Sequence, residues 1–149
     1  MNSDQMEKVS FALDIEDDWP PVATESVWCK RIAGNYVMEN APFFIPGLAC
    51  GDEFAATPDS VNGCIFEFDI IRESGHSVVW AMNTAKLDID PFIDALKSLQ
   101  CFIEGFPQFS LLSIDVPPTV DLARFNALVS KWEGEGLHFA FPTWRHEDA

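Results

Sequence analysis

The sequence predicts an α+β fold built from two lobes. Up to about residue 73 the apolar residues recur with period two in short runs, the signature of half-buried strands. Beyond it the order becomes β-α-β-β-α-β. Hydrophobic residues make up 48% of the chain, with thirteen Phe and five Trp, so both lobes can build cores. At 149 residues the chain is long enough to fold without staples.

Val9, Phe11, Leu13 and Ile15 alternate with polar or small residues and predict a first strand. Glu16-Asp17-Asp18-Trp19-Pro20-Pro21 ends it, because two prolines cannot supply ladder donors. Ser26 to Ile32 and Tyr36 to Glu39 read as strands joined by a hairpin turn at Gly34-Asn35. The segment from Asn40 to Gly47 carries two prolines and bulky apolar residues, and reads as a loop. Phe54 to Thr57 and Cys64 to Arg72 form another predicted hairpin, closed through Asp59 to Gly63. Five or so short strands in succession predict a small β-barrel or a bent antiparallel sheet for residues 1–73.

Ser77 to Met82 is the first strand of the second lobe, residues 74–149. Asp90 then reads as an N-cap with Pro91 at the first helical position. Phe92, Ile93, Leu96 and Leu99 follow as the apolar stripe of a helix. Cys101 to Phe106 and Phe109 to Val116 predict strands on either side of Pro107-Gln108. Val120 to Glu133 repeats apolar residues at helical spacing, Gly134 and Gly136 stop it, and Leu137 to Phe141 makes the last strand. This order is the ferredoxin-like βαββαβ plan, an antiparallel sheet with both helices on one face. No flexible linker separates the lobes, so they are expected to pack as one compact unit.

Twenty-four Asp and Glu against nine Lys and Arg give a net charge of −15. A disordered acidic tail would be poor in apolar residues, so this charge belongs on the surface of a folded protein. Such a surface repels nucleic acid and anionic lipid and steers basic partners toward itself. The first residues lack a basic and an apolar signal region, and no apolar run reaches the ~20 residues of a membrane span, so a cytoplasmic protein is expected. Cys29, Cys50, Cys64 and Cys101 are widely spaced, without the close pairs of a zinc site. They are expected to be reduced thiols, and no metal or cofactor is called for.

Ser74-Gly75-His76-Ser77 is the best place to look for catalysis, with a possible general base beside two hydroxyls. Adjacent strand residues point to opposite faces, however, and no G-x-S-x-G elbow places a serine. No catalytic residue is therefore assigned. Asp52, after Gly51, suits a tight turn better than a metal site. Asp14, Glu16, Asp17, Asp18 and Trp19 read either as a solvated charge run or as an anchor for Lys and Arg, with the indole available for cation–π contact. Asp88, Asp90 and Asp94 form a second acidic group, at a helix start where the dipole favours them. Phe43 and Phe44 could plug the first lobe or face a partner.

The strings Glu16-Asp17-Asp18-Trp19-Pro20-Pro21, Glu25-Ser26-Val27-Trp28, Asn40-Ala41-Pro42-Phe43-Phe44, Gly51-Asp52, Ser74-Gly75-His76-Ser77 and Asp115-Val116-Pro117-Pro118 resemble a bacterial family of small uncharacterised proteins, a domain of unknown function. The resemblance runs from about Val9 to Leu137 and implies no catalytic residues. Size and charge are similar to those of immunity proteins encoded beside secreted toxins. The expected function is thus a cytoplasmic immunity protein or antitoxin that binds a basic toxin domain through Asp14, Glu16, Asp17, Asp18, Trp19, Phe43, Phe44, Asp88 and Asp90. The alternative is an enzyme or small-ligand binder using a crevice near His76, Asp52 and Cys50.

Overall fold

The computed structural model of the chain describes residues 6–146. It divides into two units, Met1–Ser74 and Gly75–Ala149. The fold is mixed α+β, with two antiparallel sheets and two α-helices among the described residues. No helix is long and apolar enough to cross a membrane.

The first unit is a five-stranded sheet in sequence order: β1 (Met6–Ala12), β2 (Thr24–Ile32), β3 (Asn35–Met38), β4 (Glu53–Ala55) and β5 (Asp69–Arg72). Of the two arrangements expected for this unit, a small β-barrel or a bent antiparallel sheet, the barrel is corrected here, because β1 and β5 are the two ends of an open antiparallel order. Residues 64 to 68 do not extend β5 as the alternation suggested. Ile65 instead pairs with the edge of β1, accepting from the Ala12 amide and donating to the Ser10 carbonyl, each at 2.8 Å. Burial rewards that detour, since Ile65 is fully buried and Phe68 packs on the same core. At the centre of that core Phe54 stacks on Tyr36 at 5.3 Å and meets Phe11 at 5.7 Å.

The first strand also ends earlier than the alternation implied, at Ala12, and the acidic run is a separate tight turn. The β2–β3 hairpin closes at Ala33-Gly34, one residue before the predicted site, with Ile32 opposite Asn35. Both turn residues have positive φ, 51° and 86°, the requirement of a two-residue turn whose twist matches its strands.

The second unit contains β6 (Ser77–Met82), α1 (Asp90–Ser98), β7 (Phe102–Phe106), β8 (Leu111–Val116), α2 (Leu122–Glu135) and β9 (His138–Thr143). Its sheet order is β7-β8-β6-β9, with every pairing antiparallel. Phe92 and Leu96 of α1, Phe125, Val129 and Trp132 of α2, and Val79, Ala81, Leu112, Ile114 and Val116 of the sheet form one core. Asp90 is the first helical residue rather than the cap. Ile89 occupies the N-cap, and the Asp88 side chain accepts the Asp90 amide at 3.2 Å from outside the helix. At α2 the cap is Asp121, which accepts from the Arg124 amide, and Gly136 closes the far end with φ 111°.

Candidate functional site

Glu16 and Trp19 exchange two main-chain hydrogen bonds, at 2.9 and 3.0 Å. Asp17 and Asp18 are the central residues of that turn, with φ 53° and 63°. Asp is among the few side chains that tolerate this region, so the two aspartates can occupy the centre of a two-residue turn. Asp14, Glu16, Asp17 and Asp18 are all exposed. None of the four makes an ion pair among the described residues. Trp19 is 40% exposed, and its ring meets Phe44 edge-on at 5.6 Å.

Phe43 and Phe44 take different positions. Both backbone amides donate to the Glu25 carboxylate, at 2.7 and 2.8 Å, which pins the loop to β2. Phe44 is buried and supports Trp19, whereas Phe43 is half-buried. Nearby in sequence, Asp59, Glu67, Asp69 and an exposed Phe66 line a cavity of about 410 Å³ in the same unit. Sequence reasoning passed over this acidic cavity, because its residues fall on a loop and one short strand. Asp88, Asp90 and Asp94 are exposed at α1, in the second unit.

Asp52 is fully buried in the first unit. Its Oδ2 accepts from the Ala49 amide and its Oδ1 from the Ser74 amide, both at 2.9 Å. The Ser74 hydroxyl donates to the Cys50 carbonyl at 2.7 Å. Asp52 therefore ties the 49–52 turn to the last residue of its unit, as the turn reading expected. No disulfide joins the four cysteines. Burial pushes the Cys29 and Cys101 thiols up to about 12, with smaller contributions from nearby carboxylates, so both are protonated and unreactive.

The second unit holds a denser polar constellation. His76 Nδ1 lies 2.8 Å from Asp115 Oδ1. The Asp115 side chain is 6% exposed and that of His76 25%. Burial raises the Asp115 carboxyl above its usual range, against the lowering effect of the His76 hydrogen bond and charge. Beside this pair, the buried Ser77 hydroxyl accepts the Arg145 amide at 2.7 Å and lies 2.7 Å from His146 Nδ1. His146 Nε2 donates to the Pro117 carbonyl at 2.9 Å. In the neutral ring Nδ1 must then accept the Ser77 proton. Ser77 is fully buried, so this serine–histidine contact fastens the segment after β9 to the start of β6 rather than presenting a nucleophile. His76, oriented by a carboxylate and partly exposed, has the arrangement of a general acid or base. The sequence singled out His76 but not its partner. The signal was present: an aspartate inside the apolar strand Leu111–Val116 has to find a donor.

A family profile described as Domain of unknown function (DUF4265) matches residues 25–139. A match over that much of the sequence places the chain in that family. No curated protein matches the chain. Among solved structures, a crystal structure of a hypothetical protein from Neisseria gonorrhoeae is similar, with 17% identity and a TM-score of 0.75 over 99% of each chain. At that identity the likeness is one of fold.

Proposed function

We propose that this chain, which belongs to the DUF4265 family, is an acidic cytoplasmic binding protein that neutralises a basic partner stoichiometrically, in the manner of an immunity protein or antitoxin against a secreted toxin domain. The observation that carries the reading is the exposed turn at Asp14–Trp19: four carboxylates without an ion pair among the described residues, beside a half-exposed indole held in place by Phe44. Fixed carboxylates steer a cationic surface, and an immobilised aromatic can anchor it after encounter. Phe66 and the carboxylates around it offer a second place for a Lys or Arg side chain. The motif strings from Glu16 to Pro118 are read as the mark of this group. The second unit is read as ferredoxin-like, supported by its β-α-β-β-α-β order and its β7-β8-β6-β9 sheet.

The turn geometry selects the test. Lysines at positions 17 and 18 would strain a backbone with positive φ, so charge is better removed by Asp17→Asn with Asp18→Gly, residues that favour this conformation. Against a basic toxin domain, stopped-flow association of this variant should slow severalfold at low salt and lose much of its salt dependence, while its thermal stability is kept or raised. Unchanged association with each toxin encoded beside the gene, together with full protection of cells by the variant, would overturn the reading.

A second reading, an enzyme or small-ligand binder, is favoured by the His76–Asp115 pair. It requires turnover or binding that depends on His76 and is indifferent to the acidic turn. A screen in which His76→Ala removes an activity while the folded structure persists would establish it.

A further inference from the structure

The first unit carries fourteen acidic and four basic residues, yet on β1 and β2 the outward face of its sheet carries Lys8 and Lys30 and no carboxylate among the described residues. Val9, Phe11, Val27 and Cys29 are buried, so their alternating neighbours Lys8, Ser10, Ser26, Trp28 and Lys30 share the other face. The Ser10–Ser26 hydroxyl contact at 2.7 Å confirms the pairing. Lys8 stands opposite Trp28, Met6 opposite Lys30, and Lys30 opposite Val37. On the rest of this face Glu39 is matched by Lys30 at 3.5 Å and Glu53 by Arg72 at 3.6 Å, and Asp69 lies on β5, at the opposite end of the sheet from β1. Lys8 makes no ion pair among the described residues and stands next to a Trp28 that is 49% exposed and a Met6 that is 42% exposed.

The same place is a sheet edge. β1 is the first strand of its sheet, and Ile65 takes only the Ser10 carbonyl and the Ala12 amide on its outer side. Main-chain groups alternate between the two edges of a strand. Met6 and Lys8 therefore aim their N–H and C=O groups the same way as Ser10 and Ala12, upstream of Ile65, where no strand is paired among the described residues.

We infer that the edge of β1 at Met6–Lys8, with the adjoining Trp28 and Lys30, is a docking site for an extended acidic and apolar segment of a partner protein. Such a segment adds a strand to the edge, lays an apolar side chain on Trp28 and Met6, and sets a carboxylate beside Lys8. This surface is separate in chemistry from the acidic turn and takes the opposite charge. A second copy of the chain is a poor occupant, since each copy carries a net −15. An anionic bilayer is also disfavoured. It is planar and would confront this unit's excess carboxylates within a Debye length of about 8 Å, whereas a single strand covers only the strip that is positive.

The test is a titration of the full-length isotope-labelled protein with a nine-residue peptide of alternating Glu and Val, followed by NMR. The amides of Met6 and Lys8 and the Trp28 indole should shift together. Lys8→Glu and Trp28→Ala, both on the exposed face, should each weaken binding about tenfold or more. Lys8→Pro, which removes a donor that the β1–β2 ladder does not use, should weaken it with the fold intact. Asp17→Asn with Asp18→Gly should leave this binding unchanged, so its failure is distinct from failure of the acidic-turn reading. The inference is overturned by absence of binding, by equal binding of a peptide with Lys in place of Glu, or by affinity unmoved in Lys8→Glu and Trp28→Ala. It is also overturned by preferential binding to phosphatidylglycerol vesicles, or by concentration-dependent self-association that Trp28→Ala abolishes.

Discussion

Asp52 in the first unit and Asp115 in the second are both buried carboxylates, at 0% and 4% exposure, and they are held by different kinds of donor. Asp52 accepts from the backbone amides of Ala49 and Ser74. Asp115 is held by the imidazole of His76. A backbone amide neither titrates nor turns away, so a carboxylate it holds serves to fix chain geometry. An imidazole can change charge and can reach solvent, so a carboxylate paired with it is coupled to pH and can orient proton transfer. The difference separates a structural aspartate from a candidate functional one more sharply than burial does.

Removing Asp52 is the largest expected perturbation. Asp52→Ala strips the partner from two amides, and each buried donor left unsatisfied costs about 1–3 kcal/mol. A total loss near 3 kcal/mol is expected in urea unfolding. Asp52→Asn keeps one acceptor oxygen and should lose roughly half as much. If Asp52→Ala folds with native stability, Asp52 is not a structural brace, and the contrast with Asp115 collapses.

Next in size is His76→Ala, which leaves the Asp115 carboxylate without this partner, at a cost of about 1–3 kcal/mol near neutral pH. Its clearer signature is a titration. The His76 hydrogen bond and charge both lower the Asp115 pKa against burial, so His76→Ala should move the Asp115 carboxyl further upward in a carbon-13 NMR titration. The sign for stability follows from linkage. With the folded pKa raised above the unfolded one, the folded state binds more protons between the two values, and Asp115's contribution falls as pH rises through that window. Wild type should therefore lose stability relative to Asp115→Asn as pH increases from about 4, with the difference levelling off above the raised pKa. A flat difference would mean that Asp115 is solvated like a surface carboxylate.

Much of this molecule is legible in its sequence, and the gaps have physical causes. The alternation in Val9–Phe11 and Ser77–Met82, and the helical stripes through Phe92 and Phe125, are local signals that burial reinforces. The coarse α+β order followed from them. The path of Ile65 was not legible, because pairing residue 65 with residue 11 is a tertiary choice between two equally apolar partners. The hairpin register was misplaced by one residue, because Gly34-Asn35 is a stronger turn signal than Ala33-Gly34. Of the site residues, His76 stood out by type, but its pairing with Asp115 spans 39 positions and no local pattern encodes that. The acidic turn was visible as charge, while its positive-φ conformation was not.

Ala33 supplies the smallest test and a calibration for the other two. Two tight turns in the first unit place non-glycine residues at positive φ: Asp17-Asp18, whose side chains tolerate it, and Ala33, which has no such excuse. Left-handed conformation costs an ordinary L-residue roughly 1 kcal/mol or more, and Asn-Gly is the sequence that a two-residue turn of this type prefers. Ala33→Asn should therefore raise stability by about 0.5–1 kcal/mol, without touching either buried carboxylate. The β2–β3 register, with Ile32 opposite Asn35, should be preserved in the amide shifts. If Ala33→Asn destabilises instead, the hairpin is closed by some other turn. The first unit's register would then need revision around Tyr36, and with it the stack on Phe54 at the centre of that core.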